Sequence, residues 1–243
     1  MTAPDAAGLL CHTDPDLLEF EAAVVEARPG AVALSRSAFY PGGGGQLPDR
    51  GTLRWRGGEA RVVGLELSAG ILWHVLAEPL TLDGAVLGVV DARFRQRMCA
   101  LHTDLHVLNA LVFQAFDGAL VTGAQIGDDG TARIDFDLPG ADNDRLRSLE
   151  PALEEVRRQD LPVRSVFVPV AAAAAEPGLL RSRSVAPPPR SDGTIRVVEI
   201  AGLDRQACGG THLGSTRQSP PVRILKIDNK GRHNRRVRIG LVD

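Results

Sequence analysis

The apolar residues of this chain change their spacing near residue 93, and that change constrains the fold more than any other feature. Before it, short apolar segments alternate with turn residues, a pattern that predicts β-strands. The six segments are FEAAVVEA, AVALS, GTLRWRG, ARVVGLEL, ILWHVL and AVLGVVDA. After it, apolar residues recur at intervals of three and four, which predicts a helix with one apolar face. They are Met98, Leu101, Leu105, Leu108 and Val112. We therefore expect a small antiparallel barrel or sandwich in residues 1–92 and a second domain in residues 93–243.

The second domain is predicted to belong to the α+β class. TARIDFDL, TIRVVEI, VRILKI and RRVRIGL have the composition of strands. The helical pattern from Leu146 to Val156 contains Pro151, so that helix should begin near the proline or kink there. Residues 170–193 are rich in Ala, Pro and Ser, which favours a short alanine helix followed by a loop. Strands grouped after helices predict an antiparallel sheet.

Composition excludes some classes of protein. The chain has 243 residues, of which 44% are hydrophobic and 24% charged, enough for a substantial core. The three cysteines, Cys11, Cys99 and Cys208, are too few for a disulfide framework and favour a reducing compartment, so we expect a cytoplasmic location. No run approaches the roughly 18 apolar residues of a membrane span, and no secretory signal is evident, so no membrane partner is expected.

A basic segment near the C-terminus is the candidate for nucleic-acid binding. Because the net charge is −2 and the pI about 6.3, attraction to RNA must come from a local patch. The segment ILKIDNKGRHNRRVRIGLVD includes Lys230, Arg232, Arg235 and Arg236. Taken alone, it favours a solvated basic strand pair.

Two pairs of metal-ligand residue types lie far apart in the sequence. HTDLH places His102 and His106 on one face of the predicted helix, as in helices that supply two ligands to one metal. ACGGTHLGST places Cys208 and His212 across two glycines. Singly, the first pair is equally typical of partly exposed histidines beside a core stripe, and the second is more typical of an ordinary glycine turn. Together they make a nitrogen and sulfur set suited to zinc. A nucleophilic Cys208 is less favoured, because no separate histidine and acid accompany it.

The segment FYPGGGGQLPDRG interrupts the predicted strands at residues 39–51. Its four consecutive glycines carry a large backbone entropy cost and offer no side chain to pack. Such a loop must serve reach, close approach or mobility.

The motifs resemble those of the alanyl-tRNA editing proteins called AlaX. FYPGGGGQLPDRG, HTDLH, RIDFD, DRQACGGTH and KIDNKGRHNRRVRI occur in the family's order and cover nearly the whole chain. The glycine loop and the segments before it are similar to the medium-length class, since the short class lacks this N-terminal module. The resemblance implies an N-terminal β-barrel followed by an α+β editing domain of the type shared by threonyl- and alanyl-tRNA synthetases.

The resemblance also implies an activity, which is hydrolysis of the ester joining serine or glycine wrongly to alanine tRNA. His102, His106, Cys208 and His212 match the family's ligands for one zinc ion, and we expect His212 to be the ligand most easily displaced. Asp104 stands where small residues are usual, and we expect it at the surface.

Further residues are candidates for contacts with the substrate. The family associates the loop residues Gly42, Gly43, Gly44, Gly45 and Gln46 with the editing site and its substrate choice. Ser37 stands where many members have threonine. Ser37, Thr122 and Gln125 could hydrogen-bond the hydroxyl of serine, or could simply cap turns. Lys230, Arg232, Arg235 and Arg236 could contact phosphates near the acceptor end of the tRNA.

Two alternatives remain open at this point. The chain could edit another mischarged tRNA, such as threonine tRNA carrying serine, or it could be a non-catalytic RNA-binding module with a structural zinc ion. ATP is not expected, because the two predicted domains use up the chain from about residue 17 onward and the tRNA should be charged elsewhere. Zinc could be catalytic or could only position the substrate.

Overall fold

Six antiparallel strands close into a barrel in the first part of the chain. A computed structural model describes residues 9–181 and 187–242. The barrel strands are β1 (Glu19–Arg28), β2 (Ala31–Leu34), β3 (Gly51–Trp55), β4 (Gly58–Ser68), β5 (Ile71–Leu76) and β6 (Ala85–Val90). They pair in the order β1-β2-β5-β4-β3-β6, and β6 also pairs with β1. The prediction of six strands is confirmed, and of the two predicted arrangements the structure has the barrel.

Alternate strand residues fill the barrel with apolar side chains. Val32 and Leu53 are fully buried, and Phe20 and Phe39 meet edge to face with ring centroids 5.8 Å apart. The inward residues lie every second position along β1 and β4, as the pleat of a strand requires. This core is therefore formed by the apolar residues at every second position of the strands.

The base of the glycine loop is held by a buried ion pair. Arg95 contacts both carboxylate oxygens of Asp49, and its guanidinium also donates to the carbonyl of Ala38 at 2.6 Å. Asp49 in turn accepts from the backbone N–H of Tyr40 at 2.6 Å, and its own N–H donates to the carbonyl of Tyr40 at 2.9 Å. A buried charge is tolerable here because every partner is itself hydrogen-bonded. The two ends of the loop, at Tyr40 and Asp49, are thereby held together.

A long helix, two antiparallel sheets and three shorter helices follow the barrel strands. The helices are α1 (Ala92–Ala115), α2 (Asn143–Arg147), α3 (Glu150–Arg158) and α4 (Val170–Ala175). The four-stranded sheet has the order β12-β13-β8-β7, and the three-stranded sheet has the order β11-β10-β9. Their strands are β7 (Val121–Ile126), β8 (Thr131–Asp137), β9 (Val163–Pro169), β10 (Thr194–Ile200), β11 (Asp204–Ala207), β12 (Val222–Lys230) and β13 (Asn234–Leu241). The α+β class is confirmed.

The described residues divide into two compact units. One unit takes in the chain up to Gly43 together with Leu47–Gln96, and the other takes in Gly44–Gln46 together with the chain from Arg97 onward. The tip of the glycine loop thus belongs to the same unit as both predicted ligand pairs. Residues 182–186, part of the loop expected after the alanine helix, lie outside the described residues. The domain boundary at residue 93 stays a prediction.

Helix α1 differs from its prediction. We expected one apolar face, but every residue from 98 to 110 is buried. Asp104, expected at the surface, is only 2% exposed, and its carboxylate accepts from the hydroxyl of Ser219 at 2.8 Å. Burial raises the pKa of this carboxyl to about 7, and the bond from Ser219 only partly offsets that rise. The surface prediction is wrong because this helix packs against neighbours on all sides.

Two smaller expectations can be compared directly with the structure. Pro151 lies in the first turn of α3, which begins at Glu150, so the helix starts at the proline as predicted and does not kink there. Within residues 9–181 and 187–242, no helix is long and apolar enough to cross a membrane.

Candidate metal centre

The structure brings the two predicted ligand pairs together in one buried cluster. Each of His102, His106, Cys208 and His212 offers one ligand atom, and these atoms all lie within 4.8 Å of one another. The Sγ atom of Cys208 is 3.5 Å from Nε2 of His102 and 3.4 Å from Nε2 of His212. The rings of His102 and His106, one helical turn apart, have centroids 5.3 Å apart. Such a cluster could hold a metal ion.

The turn after β11 presents Cys208 and His212 because its backbone is held from both sides. The buried guanidinium of Arg196, on β10, donates to the carbonyl of Cys208 at 2.9 Å and to that of Gly210 at 2.7 Å. On the other side, a Cβ atom at Gly210 would lie 2.1 Å from Cε1 of His102. The second glycine of CGGTH is therefore required by the close approach of the helix, not by turn geometry.

Each of the three histidines has a polar side chain near its Nδ1 atom. His102 lies 2.8 Å from Oε1 of Gln46, and His212 lies 3.3 Å from the hydroxyl of Thr103. His106 has its Nδ1 atom 3.6 Å from a carboxylate oxygen of Asp204, longer than a hydrogen bond but within ion-pair range. Partners at Nδ1 leave Nε2 available for the cluster, which is the usual arrangement behind metal-bound histidines.

The charge states of the cluster suit a cation. Burial would raise the pKa of the Cys208 thiol, but the charges of His102 and His106 outweigh it and hold that pKa well below its usual range. Burial lowers the pKa of His106, but the thiolate of Cys208 and the carboxylate of Asp204 together raise it to about 9. Burial and the neighbouring imidazoles hold the pKa of His212 well below its usual value. A thiolate and the neutral imidazole of His212 are donor forms that zinc and similar ions bind, and His106 becomes such a donor once it loses a proton.

The tip of the glycine loop reaches this cluster. The side-chain amide of Gln46 donates to the hydroxyl of Thr211 at 2.8 Å, and its carbonyl accepts from the N–H of Thr211 at 3.0 Å. Gly45 accepts from the N–H of Ile126 at 2.8 Å, and a Cβ atom at Gly45 would lie 2.4 Å from the carbonyl oxygen of Ala124. Of the three explanations considered for the loop, the structure shows close approach.

The other predicted substrate contacts have partners of their own. Ser37, in the barrel, is 3% exposed, lies 2.8 Å from Nε2 of His74 and accepts from the N–H of Phe39. On β7, the hydroxyl of Thr122 contacts the carbonyl of Asp135 and the side chain of Asn234 at 3.3 Å, and Gln125 accepts from Arg133. Gly42 and Gly43 belong to the barrel unit. The substrate role of these residues stays a prediction.

The four predicted tRNA-binding residues fall into two kinds. Lys230 and Arg232 are exposed where β12 turns into β13. Arg235 is 8% exposed and donates to the carbonyl of Ala141 at 3.1 Å. Arg236 forms a two-pronged ion pair with Asp135, at 2.7 and 2.8 Å. Of the four, therefore, only Lys230 and Arg232 are exposed charges without a described ion pair or hydrogen bond of this kind.

Sequence reasoning missed the residues behind the cluster. Asp204 and Gln206 on β11, and Cys208 directly after it, contact α1, whose His102, His106 and Asn109 follow helical spacing. The signal was available in the period-2 pattern of DRQAC and the i, i+4, i+7 pattern of the helix. Without the pairing of strand and helix, neither pattern identifies its partner.

Comparisons with known proteins agree with this site. Residues 195–238 match the model of the threonyl and alanyl tRNA synthetase second additional domain. An alanyl-tRNA editing protein AlaX-M from Methanosarcina mazei is 36% identical over 96% of this chain and 96% of its own length. One from Saccharolobus solfataricus is 34% identical over 92% of this chain and 94% of its own length. An alanine--tRNA ligase from Korarchaeum cryptofilum is 37% identical over 90% of this chain, which spans only 24% of the ligase.

This protein is of the aminoacyl-tRNA editing class, whose members are deacylases. The class is defined here by the barrel, by the α+β unit that contains the matched synthetase domain, and by the His/Cys cluster. Within that class, the chain is similar over nearly its full length to two AlaX-M proteins. The chain belongs to the AlaX-M family of alanyl-tRNA editing proteins.

Proposed function

We propose that this chain removes wrongly attached serine from alanine tRNA by hydrolysing the aminoacyl ester, with glycine as a second misplaced amino acid. The observation that carries the proposal is the buried cluster of His102, His106, Cys208 and His212, hydrogen-bonded to Gln46 at the tip of the glycine loop. Membership of the AlaX-M family supports alanine tRNA as the substrate. The cytoplasmic location remains a prediction.

Zinc is the metal we propose for the cluster. Three imidazoles and a thiolate are the donor types that zinc prefers, and softer or harder ions match this set less well. In this cluster, zinc would supply the positive charge that orients the aminoacyl group and stabilises an oxyanion. His102, His106 and Cys208 are the ligands we propose to be retained throughout.

His212 is the ligand we propose to be displaced. Its Nδ1 atom faces the hydroxyl of Thr103, which already accepts from the N–H of Leu213 at 3.2 Å. A hydroxyl can donate to Nδ1 or accept from it, so it does not hold His212 in one tautomer, whereas Gln46 presents His102 with an acceptor only. The released ring can then take a proton at Nε2.

The reaction requires an oriented water and a proton acceptor, because an aminoacyl ester is already activated. Water adds to the ester carbonyl carbon, and its proton passes to Nε2 of His212. That proton then moves to the ribose oxygen as the carbon–oxygen bond to the tRNA breaks. The free amino acid and the intact tRNA leave. This sequence consumes one water and no ATP.

Release of serine from Ser-tRNA(Ala) tests the proposal. Wild-type protein should deacylate Ser-tRNA(Ala) and spare Ala-tRNA(Ala) and Ser-tRNA(Thr), and Cys208→Ala should slow release by more than about 100-fold, because a ligand is lost. Wild-type protein that binds the RNA but leaves Ser-tRNA(Ala) intact would show a non-catalytic module. Preferential release from Ser-tRNA(Thr) would show a different editing factor.

Metal content of the purified protein tests the cluster separately. We expect one zinc ion per chain in wild type and none after simultaneous replacement of His102 and His106 by alanine. Zinc retained at full occupancy in that double variant would show that the ion binds elsewhere.

A further inference from the structure

A fully buried carboxylate lies directly behind His106. The side chain of Asp204 has no exposed surface, and one of its oxygens lies 3.6 Å from Nδ1 of His106. Its other oxygen lies 2.8 Å from the guanidinium of Arg181. The Nδ1 atom of His106 is buried and has no hydrogen-bond partner among the described residues. Among the described residues, this carboxylate is therefore the charged group that faces the otherwise unpartnered ring nitrogen.

Side-chain contacts between β11 and α1 keep this carboxylate in place. Gln206, two residues along the strand, donates from its amide to the Asp204 carboxylate and accepts from the amide of Asn109 at 2.6 Å. Asn109 lies three residues after His106 on the helix. Three contacts thus link α1 to β11 and the residue after it, from Asp204 to His106, from Gln206 to Asn109 and from Cys208 to His102. Asp204 cannot turn away from His106 without breaking the Gln206 contact.

Arg181 offsets the negative charge of Asp204 from the far side. Its guanidinium lies 4.0 Å above the ring of Phe113, and its Nε atom donates to the carbonyl of Gly178 at 2.7 Å. A planar guanidinium fixed by an aromatic ring and a carbonyl is a rigid counter-ion. The order of charges is guanidinium, carboxylate, imidazole and thiolate, so each group has an opposite charge or a proton donor next to it.

We propose that Asp204 is a positioning residue of the metal centre. It holds the proton of His106 on Nδ1 and so keeps Nε2 free as a ligand, and Arg181 keeps the carboxylate aimed at the ring. A carboxylate behind a ligand histidine fixes the tautomer and strengthens the ligand. The other two imidazoles have neutral partners, Gln46 and Thr103, so His106 is the one ligand histidine of the three with a negative charge behind it. The inference rests on the proposed metal centre and adds a charged residue behind one of its ligands.

Zinc affinity of Asp204→Asn, measured by competition with a chelator, tests this role. The substitution keeps the shape and removes the charge, so we expect zinc affinity to fall by about 10- to 100-fold. Glu199→Gln is the matched control, because it makes the same chemical change in a part-exposed carboxylate of β10 that pairs with Arg205. The control should bind zinc like wild type.

A purely structural role for Asp204 would give a different result. In that case Asp204→Asn would lower the melting temperature of the metal-free protein but bind zinc within about twofold of wild type, and the proposal would be overturned. A wild-type protein that binds no zinc would overturn it as well.

A second prediction follows because Asp204 is proposed to act on the metal through His106. In a His106→Ala background, adding Asp204→Asn should cause little further loss of zinc affinity, and a full additional loss contradicts the proposal.

The tautomer of His106 can be measured in wild-type protein, so the proposal can be tested even if Asp204→Asn does not fold. In zinc-loaded protein with nitrogen-15 in its histidines, NMR should show the His106 ring protonated at Nδ1 and not at Nε2. Protonation at Nε2 would overturn the proposal. If Asp204→Asn loses zinc affinity but wild type releases no serine, the proposed function fails and the positioning role stands. If serine is released and Asp204→Asn binds zinc normally, only the positioning role fails.

Discussion

At the scale of single residues, the cluster depends on a glycine with no room for a side chain. A Cβ atom at Gly210 would lie 2.1 Å from Cε1 of His102 and 2.8 Å from Oε1 of Gln46. Gly210→Ala must therefore displace a ligand ring or its partner, and we expect at least a 10-fold loss of zinc affinity. Gly209→Ala is the neighbouring control, since its Cβ atom would meet only Pro187 at an ordinary 3.5 Å. Equal losses in the two variants would contradict the steric explanation.

A buried histidine of the barrel makes a second prediction at this scale. Burial lowers the pKa of His74 from 6.5 to about 4, and a hydrogen bond with the carbonyl of Val32 offsets only part of that shift. The unfolded chain binds a proton here below about pH 6.5 and the folded chain does not until about pH 4. Stability should therefore fall as the pH drops through this window, by up to about 3 kcal/mol.

Denaturant unfolding at pH 7 and pH 4.5 measures this loss, with His74→Gln as the comparison. The variant should be less stable at pH 7, because a buried hydrogen-bonded ring is lost, but its stability should depend less on pH than that of wild type. The same pH dependence in both proteins would show that other groups dominate the acid sensitivity.

The ligand residues could be predicted from the sequence and their partners could not. The His-x3-His and Cys-x3-His pairs together indicate a metal site, and the structure brings both pairs into one cluster. Gln46, Thr103 and Asp204 contact the imidazoles, but amide, hydroxyl and carboxylate groups occur throughout any chain. Gln46 lies 56 positions from His102, and no local spacing links them. Only the packing of loop, helix and strand selects these three from the many residues of the same type.

At the scale of elements, the strand and helix patterns predicted the six barrel strands and α1 but not the full burial of α1. An apolar stripe with polar residues beside it is typical of a helix that faces solvent on one side. In α1 the polar residues are buried and paired instead, as with Asp104 and Ser219 or Asn109 and Gln206. The spacing of polar residues within one element does not show which of them are paired, because the partners come from other elements.

Two neighbouring glycines of the glycine loop differ in the space around them, and this difference gives a prediction about the loop as an element. Gly45 has a φ of +90° and its Cβ atom would lie 2.4 Å from the carbonyl oxygen of Ala124, whereas Gly44 has a φ of +60° and open space around it. Gly45→Ala should therefore cost about 2 kcal/mol or more and move the loop away from β7. Gly44→Ala should cost only about 1 kcal/mol, because a left-handed φ is its sole penalty.

Thermal unfolding and serine release of the two variants separate these effects. We expect Gly45→Ala to lose both stability and deacylation, because Gln46 follows directly and loses its contacts with His102 and Thr211. Gly44→Ala should retain most of its deacylation. If Gly44→Ala were the more damaging of the two, the loop would be required for mobility at its tip and not for close approach.

At the scale of the whole molecule, the proposed function requires the chain to bind a polyanion although its own net charge is −2. Basic residues paired within the fold contribute little to such binding, since their charges are already balanced. Arg236 is paired with Asp135, and Arg235 donates to backbone carbonyls. Lys230 and Arg232, exposed at the β12–β13 turn, are the predicted residues left to contact phosphate.

The double variant Lys230→Ala, Arg232→Ala tests this assignment. Each lost phosphate contact should reduce the slope of log affinity against log salt by about 1, so the variant should bind alanine tRNA more weakly and with a shallower salt dependence. Arg56→Ala, Arg61→Ala removes two exposed charges from the barrel and serves as the control. Binding measured from about 50 to 200 mM salt distinguishes the two variants. A control that loses as much affinity as the test variant would mean that the tRNA is attracted by overall charge, and the turn would then hold no specific phosphate contact.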